Sequence, residues 1–372
     1  MIQLIDYSTK ESRFTITGSM NVARTYHTAS VLSSGKVLIA GGASTTLPSA
    51  SDALNTAEIY DPTAKTFTLT GNMQSARVYH TATVLNDGKV LITGGANSTN
   101  DPSNTAELFD PTTETFTLVS NNMNSNRKLH TATLLQNGNV LIAGGINSSA
   151  SSISNTTEIY DSTAGTFTLT GNTNSVRKQH ASTLLNSGKV LITGGSDGSN
   201  GLNTAEIYDS TTGTFTLTGN MNSVRADHTT TLLQNGKVFI VGGSADSDKA
   251  EIYDSTTETF LATSSSMQYY EYASTVIDNP IAITLNSGLV LLAGGGFIQS
   301  GGVGNTFEYA IFYSSGTDEA SSAGVMNYKR QIHTASLLQD GTVLIAGGND
   351  SPTTVTNTAE IFDPNKFILL GR

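Results

Sequence analysis

The chain has 372 residues, a formal net charge of −11, only 13% charged residues and no cysteine. That length exceeds an ordinary single core of about 100–200 residues, and the acidity excludes nucleic acid and anionic membrane as partners, because phosphate neutralisation needs clustered Lys and Arg. Without Cys there is neither a disulfide framework nor a thiolate metal site, and no apolar run reaches the ~20 residues of a membrane span.

Met1 opens inside a strand-like segment, not a charged-then-apolar leader. Residues 2–18 read as a pair of strands, with six residues between Tyr7 and Phe14. From there the chain repeats. Gly pairs recur at Gly41-Gly42, Gly94-Gly95, Gly144-Gly145, Gly194-Gly195, Gly242-Gly243, Gly294-Gly295 and Gly347-Gly348, 48 to 53 residues apart. This is the period of a propeller blade and not of a solenoid turn. One domain over 1–372 is predicted, with blades at 19–71, 72–120, 121–171, 172–219, 220–265, 266–324 and 325–372. The last copy is shortened to EIFDPNKFILLG. Residues 1–18 are therefore expected to complete or overlay the final blade and close the ring, leaving no unpaired edge.

In the copy Arg177–Gly219, HASTLL and KVLITGG are apolar, β-branched runs joined by NSG, read as a two-residue hairpin. Their near-continuous hydrophobicity predicts strands A and B packed on both faces between blades. A polar stretch of varying length follows, then strand C (TAEIYD), a turn (STTG) and strand D (TFTLTG). No helical period appears. The predicted fold class is all-β, a seven-bladed propeller of four-stranded antiparallel blades.

The Gly pair followed by Tyr208 and then Phe215, with six residues between, resembles the kelch repeat, whose pattern is a double Gly and a Tyr six residues before a Trp. Tyr60/Phe67, Phe109/Phe116, Tyr160/Phe167 and Tyr253/Phe260 keep that spacing, with Phe in place of Trp throughout. The resemblance covers essentially the whole chain. It implies a seven-bladed ring like the central domain of galactose oxidase, and it implies little about activity, since this fold hosts unrelated functions.

Alternating strand direction puts the B–C and D–A connections on one face of the disc and the tight A–B and C–D turns on the other. The B–C connections vary most, from ASTTLPSASDAL after Gly42 to SADSDK after Gly243, as expected of a binding face on a rigid scaffold.

His27, His80, His130, His180, His228 and His333 share one repeat position, each with an Arg three residues earlier: Arg24, Arg77, Arg127, Arg177, Arg225 and Arg330. One reading is a ring that binds an anion or metal at the channel mouth. The other is a repeated structural register, with Glu58, Glu107, Glu158, Glu206, Glu251, Glu308 and Glu360 of strand C as partners, reached between blades or through the D–A loop. The Asp after the aromatic (Asp61, Asp110, Asp161, Asp209, Asp254, Asp363) caps the C–D turn. The two residues between Arg and His differ in every copy and make Tyr26, Tyr79, Lys128, Lys178 and Asp227 binding candidates, although drift at tolerant sites explains the same variation.

The sixth copy breaks the pattern. Pro280 stands at the His position and Ile277 at the Arg position, and Met267 to Pro280 spans thirteen residues against seven elsewhere. The insertion brings Tyr269, Tyr270, Glu271 and Tyr272, and GGGFIQSGGVGN adds Phe297 on the same side. These aromatics fit a sugar or peptide, or they fill the gap left by the missing pair.

A copper-radical oxidase needs a Cys cross-linked to a ligand Tyr and is excluded. No cofactor is expected; calcium has candidate loops in Asp197-Gly-Ser-Asn and Asp246-Ser-Asp248, without EF-hand spacing. The leading expectation is a non-enzymatic binding module, extracellular or on a cell surface, that holds a glycan or protein against the loop face. A sugar epimerase or lyase using the channel-mouth Arg and His is the second reading, and a structural spacer the third.

Overall fold

The structure, a computed structural model, describes residues 13–46, 52–97, 100–148, 152–243, 249–267, 280–297 and 305–366, without the side chains of Phe297 and Asn305. Among these residues there is no helix. Seven antiparallel sheets form the four-stranded blades, the sixth with the short Gly296–Phe297 added as a fifth strand, and a short hairpin, Asn349–Ser351 with Thr354–Val355, lies in the last B–C connection. The fourth blade typifies them: Ala181–Leu184, Val190–Thr193, Ala205–Asp209 and Thr214–Leu217, paired in sequence order.

Pleating explains why strand B is buried at every position and almost wholly apolar. In the second blade, Val90 and Ile92 pack with Leu38 and Ile59 of the first blade. Leu91 points the other way and packs with Val140 and Ile142 of the third. Successive side chains leave opposite faces of a strand, so a strand buried between two neighbours needs hydrocarbon on both. Tyr208 lies opposite Phe215 with ring centroids 4.8 Å apart, and its hydroxyl meets Thr170 Oγ1 of the preceding blade at 2.9 Å.

The A–B turn departs from the two-residue expectation. Leu185 and Lys189 are joined by an N–H to O bond of 2.9 Å, and Gly188 N donates to Leu185 O. The loop therefore holds three residues and is closed by Gly188 at φ 82°, the conformation that glycine adopts without steric cost. In the C–D turn Asp61 Oδ1 accepts from Thr63 N and Ala64 N.

Ring closure is non-local. Phe14–Ile16 pairs with Ala359–Phe362 and supplies the outer strand of the seventh blade. Phe14 packs against Phe362 with ring centroids 5.0 Å apart, tilted at 49°, in the place of the Tyr–Phe pair.

Among the described residues, six D–A connections are each fastened by one Arg. Arg177 Nε and Nη2 donate to Glu206 Oε1 at 3.1 and 2.7 Å, Nη1 to Gly194 O and Thr204 O, and Nη2 also to Thr204 Oγ1. All five guanidinium N–H groups are thus used. Glu206 Oε2 accepts from Asn174 N and Nδ2. The pair lies within the blade that the connection is entering, and both residues are 0% exposed. The Arg carbonyl reaches back to the preceding blade: Gly145 N donates to Arg177 O at 2.7 Å. A Cβ on Gly144 would stand 2.6 Å from that same oxygen, which is why the Gly pair cannot carry side chains.

Glu308 does not belong to this register. In the sixth blade Val290 faces Tyr313 and Leu292 faces Ile311, so Ile311 occupies the Glu position. Glu308 is three residues earlier, 3.7 Å from Lys329 Nζ, and partly exposed. The sixth blade has therefore lost its carboxylate as well as its Arg, with Ile277, outside the described residues, at the Arg position of the sequence. A long hairpin, Asn305–Ser314 with Glu319–Arg330, runs on to the next Arg.

Removing one partner of a buried pair strands the other charge, at about 3–5 kcal/mol, whereas replacing both with hydrocarbon is often close to neutral. Arg177→Met is expected to destabilise by about that amount in denaturant unfolding, and Arg177→Met with Glu206→Leu to recover most of it. A double variant no more stable than the single one would refute this account.

Candidate binding face at the channel mouth

After each Arg the chain must turn from crossing the loop face to descending as strand A. The first residue after Arg forms a bridge to the residue after the Gly pair, as in Thr25↔Ala43, Lys128↔Ile146 and Lys178↔Ser196. The second makes the turn in the left-handed region: Tyr26 (φ 52°), Tyr79 (60°), Leu129 (55°), Gln179 (56°), Asp227 (55°) and Ile332 (54°). None is glycine, and a β-branched residue such as Ile332 is a true outlier there. Such residues cost on the order of 1–3 kcal/mol each and persist only where surrounding structure over-determines them. Here the Arg two residues before and the His immediately after are buried and held. Backbone bonds run around part of the mouth: Leu129 N to Tyr79 O, Gln179 N to Leu129 O and Asp227 N to Gln179 O, at 3.2, 3.1 and 3.0 Å.

The side chains of this arc differ in kind. Tyr26 and Tyr79 meet edge to face, centroids 4.6 Å apart at 61°. Burial, and then the neighbouring phenol, push the Tyr26 hydroxyl pKa up. Gln179 Nε2 donates to the Asp227 carboxylate, and Asp227 is exposed. Tyr26, Gln179, Asp227 and Ile332 line a cavity of about 290 Å³ with Pro280, Ile281 and four of the histidines. Lys128 and Lys178 do not line it. Lys128 is buried and donates to Asn100 O and Oδ1 at 2.8 and 3.0 Å, and burial lowers its ammonium pKa.

The six histidines are 4–7% exposed. Five give Nε2 to a hydroxyl of the preceding blade: His27 to Thr334, His80 to Thr28, His130 to Thr81 and Thr93, His180 to Thr131 and His228 to Thr193. Burial, and secondarily the nearby Arg charge, hold His27, His80, His180, His228 and His333 at a pKa of about 3, with His130 shifted the same way. All six are neutral at physiological pH, and the five with a hydroxyl partner are inter-blade struts.

Tyr269, Tyr270 and Tyr272 lie outside the described residues, as do Asp246 and Asp248. Gly296–Phe297 forms a short strand with Asn305 and Thr306. Asp197 Oδ1 accepts from Ser199 N and Asn200 N, a turn closed on itself. Two features of the sequence carried information that a reading from the Gly pairs passes over. The Asn or Gln three residues before each Arg (Asn21, Gln74, Asn124, Asn174, Asn222, Asn327) gives its N–H to the same Glu carboxylate. Ile281 stands where Thr28, Thr81, Thr131, Thr229 and Thr334 open strand A in other blades.

The KLHDC2/KLHL20/DRC7 Kelch-repeats domain model matches residues 26–243, more than half of the chain. No curated protein sequence matches it. Among solved structures, a fungal alcohol oxidase of the AA5 family in complex with copper superposes with a TM-score of 0.72 at 16% identity, over 94% of this chain and 76% of that one. YjhT superposes with a TM-score of 0.57 at 13% identity, over 93% and 96%. At these identities the likeness is one of fold.

A histidine held neutral when folded binds fewer protons than its unfolded counterpart, which titrates at about 6.5. Its contribution is complete above that pH and is lost as pH falls toward 3, with a slope of about 1.4 kcal/mol per pH unit. The unfolding free energy of a His180→Gln variant should therefore fall less steeply between about pH 6 and pH 4 than that of the parent. Parallel slopes would show that His180 is charged in the folded ring.

Proposed function

The chain belongs to the kelch-repeat family, and from that premise we propose that it is a non-enzymatic recognition module holding a protein partner against its loop face. The observation that carries the reading is the arc of left-handed residues at the channel mouth. Six positions share one strained backbone, yet present phenol, alkyl, amide and carboxylate groups. Strain kept at six blades while the side chain changes is what a surface for an asymmetric ligand requires. Scaffolding of protein partners is also the usual work of this family. A sugar-modifying reaction at the mouth would need Arg and His as acid–base groups. In this reading they are struts, since each guanidinium is committed to a buried Glu and each imidazole is neutral.

Photo-crosslinking from position 26, beside a glycan array on the intact ring, identifies the partner class; capture of glycans alone would replace protein by carbohydrate. Replacing Tyr26 and Tyr79 with Ser is expected to weaken partner binding by about tenfold or more while the circular dichroism spectrum and cooperative unfolding persist. His180→Ala is expected to lower stability and leave affinity intact. Binding that ignores the tyrosines but fails on the tight-turn face, or sugar turnover abolished by His180→Ala in a folded ring, would overturn the proposal.

A further inference from the structure

The seventh blade is offered two outer strands by one chain. Its edge is filled by the N-terminal FTITG (14–18), in the register that FTLTG (67–71) keeps in the first blade. Phe14 faces Phe362 as Phe67 faces Tyr60, and Thr17 N donates to Ala359 O as Thr70 N does to Ala57 O. Four residues after Asp363 the sequence carries FILLG (367–371), with the same apolar spacing and the same closing Gly. Residues 367–372 lie outside the described residues; the turn that leads to them does not.

That turn is the start of a hairpin. Asp363 Oδ1 accepts from Asn365 N at 2.8 Å, the cap that Asp61 makes in the first blade, and Lys366 N donates to Asp363 O at 3.3 Å. With Pro364 and Asn365 as a two-residue loop, the pairing of Asp363 with Lys366 would be completed by Asp363 N donating to Lys366 O. Arg13 intercepts both groups. Its carbonyl takes Asp363 N at 2.9 Å, and its Nε donates to Lys366 O at 3.3 Å. Arg13 stands where Thr66, Thr166 and Thr214 stand in other blades, and its guanidinium rests 5.0 Å from the centre of the Phe312 ring. Continued past Lys366, the hairpin would set Phe367, Ile368 and Leu369 opposite Phe362, Ile361 and Glu360, the partners that Phe14, Thr15 and Ile16 now hold.

We propose that the seventh blade is a strand-exchange switch, in which residues 367–370 displace Phe14–Ile16 from the edge of Ala359–Phe362 and release the N-terminal segment while the blade stays four-stranded. The N-terminal strand is the stronger occupant. Thr17 Oγ1 meets the Tyr60 hydroxyl of the first blade at 2.8 Å, and Gly18 N donates to Lys65 O at 3.1 Å, whereas Leu370 at the Thr17 position brings no hydroxyl. Contacts that do not use residues 14–18 still join the two blades after exchange: Gly348 N to Arg24 O and Met20 N to Asn357 O, both 2.8 Å, and His27 Nε2 with Thr334 Oγ1 at 3.0 Å. The outer edge of strand C is covered in both states, and Arg13 sets the balance between them. The switch lies on the rim and is independent of recognition at the channel mouth.

The test uses the full chain, which has no native cysteine, as two double variants in a glutathione redox buffer, with crosslinks read by mass spectrometry. Thr15→Cys with Ile361→Cys reports the N-terminal strand, and Ile361→Cys with Ile368→Cys the exchanged one, since directly opposed strand positions lie within disulfide reach. Both crosslinks should form without denaturant, and the 361–368 species should keep its circular dichroism spectrum and cooperative unfolding. Adding Arg13→Thr, at a partly exposed position, should raise the 361–368 yield about fivefold, through the side-chain hydrogen bond and ring contact that the N-terminal strand loses. Adding Thr15→Pro, which removes a ladder N–H midway between the bonded Arg13 and Thr17, should raise it further in a chain that still unfolds cooperatively. A 361–368 crosslink that appears only in urea, a yield that ignores Arg13→Thr, or a Thr15→Pro chain without cooperative unfolding would each overturn the switch.

Discussion

The ring depends on a charge pair that faces no solvent. Desolvating a guanidinium and a carboxylate is expensive, and the attraction between them repays it only when the remaining donors and acceptors are also filled. Arg177 and Glu206 meet that condition: five N–H groups and both carboxylate oxygens are engaged within one blade. Because the Arg carbonyl also takes an N–H from the preceding blade, the same residue sets the angle at which two blades meet. The Gly pair follows from this, since any side chain there would collide with that carbonyl and with the adjacent imidazole.

What holds the ring also shapes its binding face. With Arg fixed below and His fixed between blades, the residue between them has no freedom to relax out of the left-handed region. Its side chain contributes nothing to the fastening, so the position tolerates Tyr, Leu, Gln, Asp or Ile. A rigid scaffold with exchangeable side chains at its axis is thus a by-product of how the blades are joined. Function in this fold is a matter of which groups occupy that arc.

The sixth blade shows what happens when the fastening is omitted. Arg, Glu and His are replaced together, and Ile311 sits in the carboxylate's place within a continuous apolar cluster. The blade's strands C and D are long, ten and twelve residues, and run on to Arg330, where the fastening resumes. Losing the whole set avoids an unpaired buried charge, but its effect reaches the seventh blade, where His333, among the described residues, lacks the hydroxyl that its counterparts have.

Blade number, strand order, the Arg–His spacing and the side on which the variable connections gather were legible in the sequence, because each repeated position does one local job that recurs with the period. The glycines, the Tyr–Phe pairs and the turn-capping Asp residues belong to that class. The tertiary structure alone decided the rest. Glu308 mimics the repeated Glu within a ten-residue strand that admits more than one register, and only its pairing with strand B selects Ile311. The left-handed turn at Tyr26, Leu129 or Ile332 has no local signature, since none of these residues favours it. It is imposed by contacts between segments about fifty residues apart, and that separation is why composition and spacing could not foretell it.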